Sequence, residues 1–166
     1  TSGYIPMGGT IVRKPIADAF VGSAKAAFRH VITFGGHPVA AAASLKNIEI
    51  METEEMVENS ARMGTYLLDG LKELKEKHQI IGDARGLGLF CAVELVKDRA
   101  TKQSFPAEAE IAPRLTQAFN ESGILLRGGD AINIMPPLCV TAGEIDEIVS
   151  VVDKVVGNLS RELGMG

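Results

Sequence analysis

Residues 80–96, IIGDARGLGLFCAVELV, constrain the fold of this chain more than any other stretch. The segment is apolar and is punctuated by Gly82, Gly86 and Gly88. Glycine inside a helix costs about 1 kcal/mol relative to alanine. The pattern predicts two strands, over residues 80–85 and 88–96. The second is almost continuously apolar, as expected of a strand covered on both faces.

Helical periodicity surrounds this pair. Residues 54–78, EEMVENSARMGTYLLDGLKELKEKH, predict a long helix with an apolar stripe of Met56, Met63, Leu67, Leu71 and Leu74. Lys72, Lys75, Lys77 and His78 crowd its C-terminal end, where positive charge is favoured. A polar loop, KDRATKQSFPA, follows the strands. EAEIAPRLTQAFNESG then predicts a helix with Pro113 near its start and Gly123 closing it. ILLRGGDAINIMPPL reads as a β-hairpin, with flanks Ile124 to Arg127 and Ala131 to Met135 and a Gly128-Gly129-Asp130 turn. Pro136-Pro137 stops the second flank. Thr141, with Glu144 three residues on, forms a capping box for a last helix. Ile145, Ile148, Val149, Val152, Val155, Val156 and Leu159 give that helix a broad buried stripe.

The first third has a different character. TSGYIPMGGT is turn-rich, GTIVR predicts a short strand, and Pro15 opens a short helix, PIADAFVG. Residues 23–37 read as irregular. Pro38 is well placed at the first position of a helix, because it has no amide hydrogen to leave unbonded. Within that helix Leu45, Ile48 and Met51 are expected to face a core, and Ala40 to Ala43 to allow close packing. A break is expected near Thr53. The chain therefore reads as α/β in two parts, residues 1–53 and residues 54–166.

Bulk properties exclude several classes. At 166 residues the chain suits one domain or pieces of two. A net charge of −4 without a basic stripe argues against a nucleic-acid partner. The apolar runs are shorter than a membrane span. Cys91 and Cys139 both sit in apolar runs and are expected to be buried thiols of a reducing, cytoplasmic compartment. His30, His37 and His78 lack metal-ligand spacing, so no metal site is expected. The opening Thr1-Ser2-Gly3-Tyr4, with no initiator methionine, suggests a fragment.

Two places carry candidate chemistry. In ITFGGHP, residues 32–38, glycines and the Thr33 hydroxyl precede a helix start. The first amides of a helix are unpaired and carry partial positive charge, which suits an anion such as phosphate. The same residues also describe a plain glycine-rich turn. Arg127 ends an apolar strand beside two glycines, where its guanidinium suits a carboxylate. An exposed arginine at a strand end is the plainer reading of the same residues. Arg85 is expected to form a structural pair with Asp83, and Asp83 and Glu94 make no persuasive acid/base pair.

Four segments, in order, are similar to the C-terminal part of class III aminotransferases. They are TSGYIPMGG, TFGGHPVAAAASLKNIEIME, GDARGLGLFCAVELVKDRATKQ and GILLRGGDAINIMPPLCVTAGEIDEI. Within that class the chain most resembles the ω-amino-acid:pyruvate type. The resemblance implies the pyridoxal 5'-phosphate (PLP) transferase fold of type I. Residues 1–53 would end the large cofactor-binding domain and residues 54–166 would form the small C-terminal domain. It implies a homodimer in which Thr33, with the backbone amide of Ile32, binds the PLP phosphate of the partner subunit. Arg127 would bind the carboxylate of an amino-acid or keto-acid substrate such as pyruvate. The family's Schiff-base lysine matches a position before Thr1, and neither Lys14 nor Lys25 replaces it. The resemblance therefore implies an aminotransferase portion that is inactive alone. The alternative is a non-catalytic binding or assembly module with the same fold. A Rossmann nucleotide site is disfavoured, because GLGLF lacks the Gly-x-Gly-x-x-Gly spacing.

Overall fold

A computed structural model describes residues 1–30 and 32–165. The chain divides into two compact units, Thr1–Glu54 and Glu55–Gly166. The first holds helices α1 (Lys14–Asp18) and α2 (Pro38–Thr53). The second holds α3 (Met56–Lys77), β1 (Ile81–Leu87), β2 (Phe90–Leu95), α4 (Ile111–Glu121), β3 (Ala131–Ile134) and α5 (Ala142–Glu162).

In the first unit, proline opens both helices. The predicted strand GTIVR does not form. Residues 6–13 are without regular structure, and Ile11 is fully exposed. A strand is stabilised by its ladder to a neighbour, and the described residues of this unit contain no strand to pair with. Nor do Leu45 and Ile48 meet a core here, since both are exposed; only Ala40 of α2 is buried. The N-terminal segment is tied to α2 through Ser2 Oγ and Asn47 Oδ1 at 2.5 Å and through Ser44 Oγ and Met7 Sδ at 2.8 Å. Of 21 large apolar side chains exposed among the described residues, 14 lie in Thr1–Glu54. That is too much apolar surface for a unit that completes its own core.

The second unit is built around an antiparallel sheet of order β1-β2-β3. Helix α3 packs on β1 and β2, and α5 packs on α3 and α4. β2 alternates. Cys91, Val93 and Leu95 are buried, whereas Phe90 is exposed and Ala92 and Glu94 are half-exposed. The strand is thus covered on one face within the described residues, not on both. The buried face joins Leu67, Leu71 and Leu74 of α3, Leu115 and Phe119 of α4, and Ile145, Val152 and Val156 of α5 in one core.

The predicted hairpin at residues 124–135 is also corrected. Only Ala131–Ile134 form a strand, and its partner is β2, with Cys91 opposite Ile134 and Val93 opposite Ile132. Residues 124–128 instead follow α4, because Gly128 docks on that helix. Helix α4 starts later than its sequence suggests. A 3-10 turn at Ala107–Ala109 ends at Glu110, whose φ of +49° interrupts the helical hydrogen bonding. The capping box of α5 forms as expected, with Thr141 accepting from the Glu144 N–H and the Glu144 carboxylate accepting from the Thr141 N–H at 2.8 Å.

A polar clasp joins α3 to α5. The two oxygens of Asp153 receive His78 Nε2 at 2.5 Å and Lys77 Nζ at 2.6 Å. Gly157, one turn further along α5, makes room for the imidazole, since a Cβ there would lie 3.0 Å from His78 Cε1. Burial of Asp153 works against its charge, but hydrogen bonds and charge from Lys77 and His78 outweigh it and hold the carboxyl below its ordinary value. A carboxyl depressed on folding stabilises the fold above its unfolded pKa, and that contribution disappears as pH falls through the folded value. Stability is therefore expected to decline below about pH 4. Asp153→Asn should flatten that part of the acid-unfolding curve followed by circular dichroism. An unaltered acid limb in the variant would show that the clasp has no part in acid unfolding.

Candidate functional site

The turn that enters α2 is the first candidate site. The Gly35 N–H donates to the Ile32 carbonyl at 2.8 Å and closes a turn through Thr33 and Phe34. A side chain at position 35 would place its Cβ 3.0 Å from that carbonyl oxygen, and Gly36 follows at φ +70°. The backbone thus favours glycine at both positions, by crowding at Gly35 and by its left-handed conformation at Gly36. Ile32, Thr33 and Phe34 are exposed. His37 is the N-cap residue of α2 but makes no side-chain capping bond. It is exposed, and its imidazole has no hydrogen-bond partner among the described residues. The amides of the first turn of α2 are therefore not capped by the His37 side chain. An exposed hydroxyl, a tight glycine turn and the uncapped start of a 16-residue helix are the donors that a phosphate group accepts from.

Arg127 is the second candidate. It lies on the segment between α4 and β3 rather than at a strand end, and its side chain is exposed. Among the described residues its guanidinium has no ion-pair partner, so it remains open to an external carboxylate. The next residue is held firmly. The Gly128 N–H donates to Thr116 Oγ1 at 2.8 Å, and that hydroxyl donates to the Ala112 carbonyl at 2.9 Å. Thr116 carries no signal in the sequence, because a threonine on an amphipathic helix looks like any other surface polar residue. Thr33 and Arg127 lie in different units.

The remaining candidates are structural. Arg85 donates to Asp83 at 3.0 Å and to Glu94 at 2.5 Å, which joins β1 to β2 on the sheet face away from the core. The hydrogen bond from Arg85 is the main reason the Asp83 carboxyl sits below its ordinary value. Arg99 donates to the carbonyls of Ile81, at 2.7 Å, of His78, also at 2.7 Å, and of Lys75. It thereby satisfies the end of α3. Cys91 is buried, and burial pushes its thiol up. Cys139 is exposed, contrary to expectation: it follows the Pro136-Pro137 break and lies outside the core. Both cysteines are free thiols. No group of three or more metal-ligating side chains occurs among the described residues, and no helix described is long and apolar enough to cross a membrane.

Comparison with known proteins gives this arrangement a family. The family described as Aminotransferase class-III matches residues 1–156. A taurine–pyruvate aminotransferase of Bilophila wadsworthia is 39% identical over 99% of this chain and 38% of its own length. An (S)-enantioselective omega-transaminase from Thermomicrobium roseum superposes with a TM-score of 0.89 at 38% identity, covering 95% of this chain and 35% of that one. An amine transaminase from an uncultivated Pseudomonas species, solved with PLP bound, superposes with a TM-score of 0.89 at 35% identity over 95% of this chain and 36% of its own. The chain thus spans little more than a third of the length of the relatives it matches.

Proposed function

The chain belongs to the class III aminotransferase family, and from that membership we propose that it serves an enzyme moving an amino group from an amine or amino acid to a keto acid such as pyruvate. The acceptor is suggested by the pyruvate aminotransferases among its relatives. The family is PLP-dependent, and the bound cofactor supplies an electron sink for negative charge at the amino-bearing carbon. In this reading residues 1–53 contribute to the large cofactor-binding domain and residues 54–166 to the small C-terminal domain of a cytoplasmic homodimer.

The turn from Ile32 to Gly36 carries the proposal. The Ile32 amide and the Thr33 hydroxyl would hold the cofactor phosphate of the partner subunit, with the α2 N-terminus adding favourable charge. The donor set fits a phosphate dianion: it presents hydroxyl and amide hydrogens and no carboxylate. Arg127 would orient the substrate carboxylate through paired hydrogen bonds. Neither group performs the proton transfers; both fix the position of the reacting atoms.

The test uses the active enzyme that contains this chain. Thr33→Val keeps the side-chain shape and removes the hydroxyl. A hydrogen bond to a charged group contributes about 1.5–3 kcal/mol. The dissociation constant for PLP should therefore rise by about tenfold or more, read from cofactor released on dialysis. Undiminished retention would reject the phosphate role. The 166-residue chain alone is expected to show no transamination when given PLP, an amine and pyruvate.

A further inference from the structure

Arg127 projects from a segment that is tied on its far side at two points. The first tie is Gly128, whose N–H donates to Thr116 Oγ1 at 2.8 Å. The second is Asp130, whose carbonyl accepts from the Leu95 N–H at 2.7 Å as β3 begins beside β2. At the first tie the Thr116 hydroxyl is used in both directions. It accepts from Gly128 and gives its own proton to the Ala112 carbonyl one turn back along α4, at 2.9 Å. Only serine reproduces both bonds at this geometry; valine matches the shape and makes neither.

The fit between loop and helix leaves no slack. A Cβ on Gly128 would overlap the Ala112 carbonyl oxygen and lie 2.5 Å from Leu115 Cβ. Leu115 is itself buried in the core with Phe119. The loop therefore rests on a helix that cannot easily shift. The charged end of Arg127, by contrast, has no side-chain partner among the described residues, so its position depends on the backbone beneath it.

We propose that Thr116 and Gly128 are positioning residues that hold Arg127 for a substrate carboxylate. They thereby favour carboxylate-bearing substrates over simple amines. This role rests on Arg127 being the carboxylate clamp. A paired hydrogen bond between guanidinium and carboxylate depends on orientation, and a misplacement of about 1 Å can cost about a hundredfold. Releasing the Gly128 amide spreads Arg127 over many positions and weakens that pair. A donor without a carboxylate does not use Arg127 and is unaffected.

The experiment compares two donors in the active enzyme containing this chain, L-alanine and isopropylamine. Each is followed through the cofactor absorbance change of a single half-reaction, with no keto-acid acceptor added. The only carbonyl compound formed is the product, pyruvate from L-alanine and acetone from isopropylamine. Arg127→Ala should raise the half-saturating L-alanine concentration by about 100-fold, the scale of a lost charge-assisted pair. Thr116→Val should raise it by about tenfold, the scale of a lost hydrogen bond. Thr116→Val should not move the isopropylamine value by more than about twofold, a difference well below one hydrogen bond. Thr116→Ser should restore the parent behaviour, and amide exchange at Gly128 should speed up in Thr116→Val alone. If Arg127→Ala loses the preference for L-alanine and Thr116→Val keeps it, the positioning role is wrong. Equal loss with both donors in Thr116→Val makes the residue merely structural and also overturns it. If Arg127→Ala keeps the preference, the clamp assignment itself fails, and the role of Thr116 falls with it.

Discussion

Phe119→Ala is expected to lower the unfolding free energy by about 3–5 kcal/mol, the range for a fully buried aromatic replaced by alanine. Phe119 lies on the core side of α4, fully buried, and shares one cluster with residues of α3, the sheet and α5. Its ring is therefore common to elements distant in sequence, and the space it leaves is bordered by several of them. Collapse of one element into that space would pull it from the others, so the cavity would largely persist. The same helix carries Thr116, three residues before Phe119, and with it the seat of Gly128. In urea, with a slope of about 2 kcal/mol per molar, the midpoint should fall by roughly 2 M. The slope itself should be unchanged if the second unit still unfolds as one body. A loss under about 1 kcal/mol would show that the core around α4 repacks freely.

Gly64→Ala is the second large effect. Alanine usually favours a helix over glycine by about 1 kcal/mol, so propensity alone predicts stabilisation. Contact predicts the reverse. A Cβ at position 64 would overlap the backbone of Gly88, in the turn between β1 and β2. Gly88 cannot yield easily. It holds a φ of +53°, and a Cβ on it would lie 2.9 Å from Ser60 Oγ. The same hydroxyl receives the Leu89 N–H at 3.4 Å. Helix and turn must separate, and overpacking of this kind costs about 1–3 kcal/mol. The sign of the change in thermal midpoint decides between propensity and contact. A higher midpoint for Gly64→Ala would show that the turn moves aside without strain.

Elements specified by local pattern are legible in the residues alone. The stripe at Met63, Leu67, Leu71 and Leu74 marks α3, proline marks the starts of α1 and α2, and the Thr141–Glu144 box marks the start of α5. All of these signals act within about one helical turn. The candidate site is legible to the same extent. Glycines before Pro38 indicate a tight turn into a helix, and an arginine beside two glycines stands out in an apolar segment. Their proposed ligands come from the likeness of whole ordered segments to a family, because a turn and a lone arginine have bland uses as well.

Local pattern in the residues marks the starts of α2 and α5, the apolar faces of α3 and α5, and the division of the chain into two parts of different character. Contacts between elements set the rest. Leu45 and Ile48 follow helical spacing yet remain exposed, because spacing specifies a face and not what covers it. β2 is apolar along its length, but helices cover it on one side within the described residues. Residues 124–127 have the composition of a strand, but Gly128 fits against α4, so β2 takes β3 as its neighbour instead. Thr116 gains its importance from a glycine twelve residues away. In each case the deciding contact joins residues remote along the chain, and composition and periodicity report only on near neighbours.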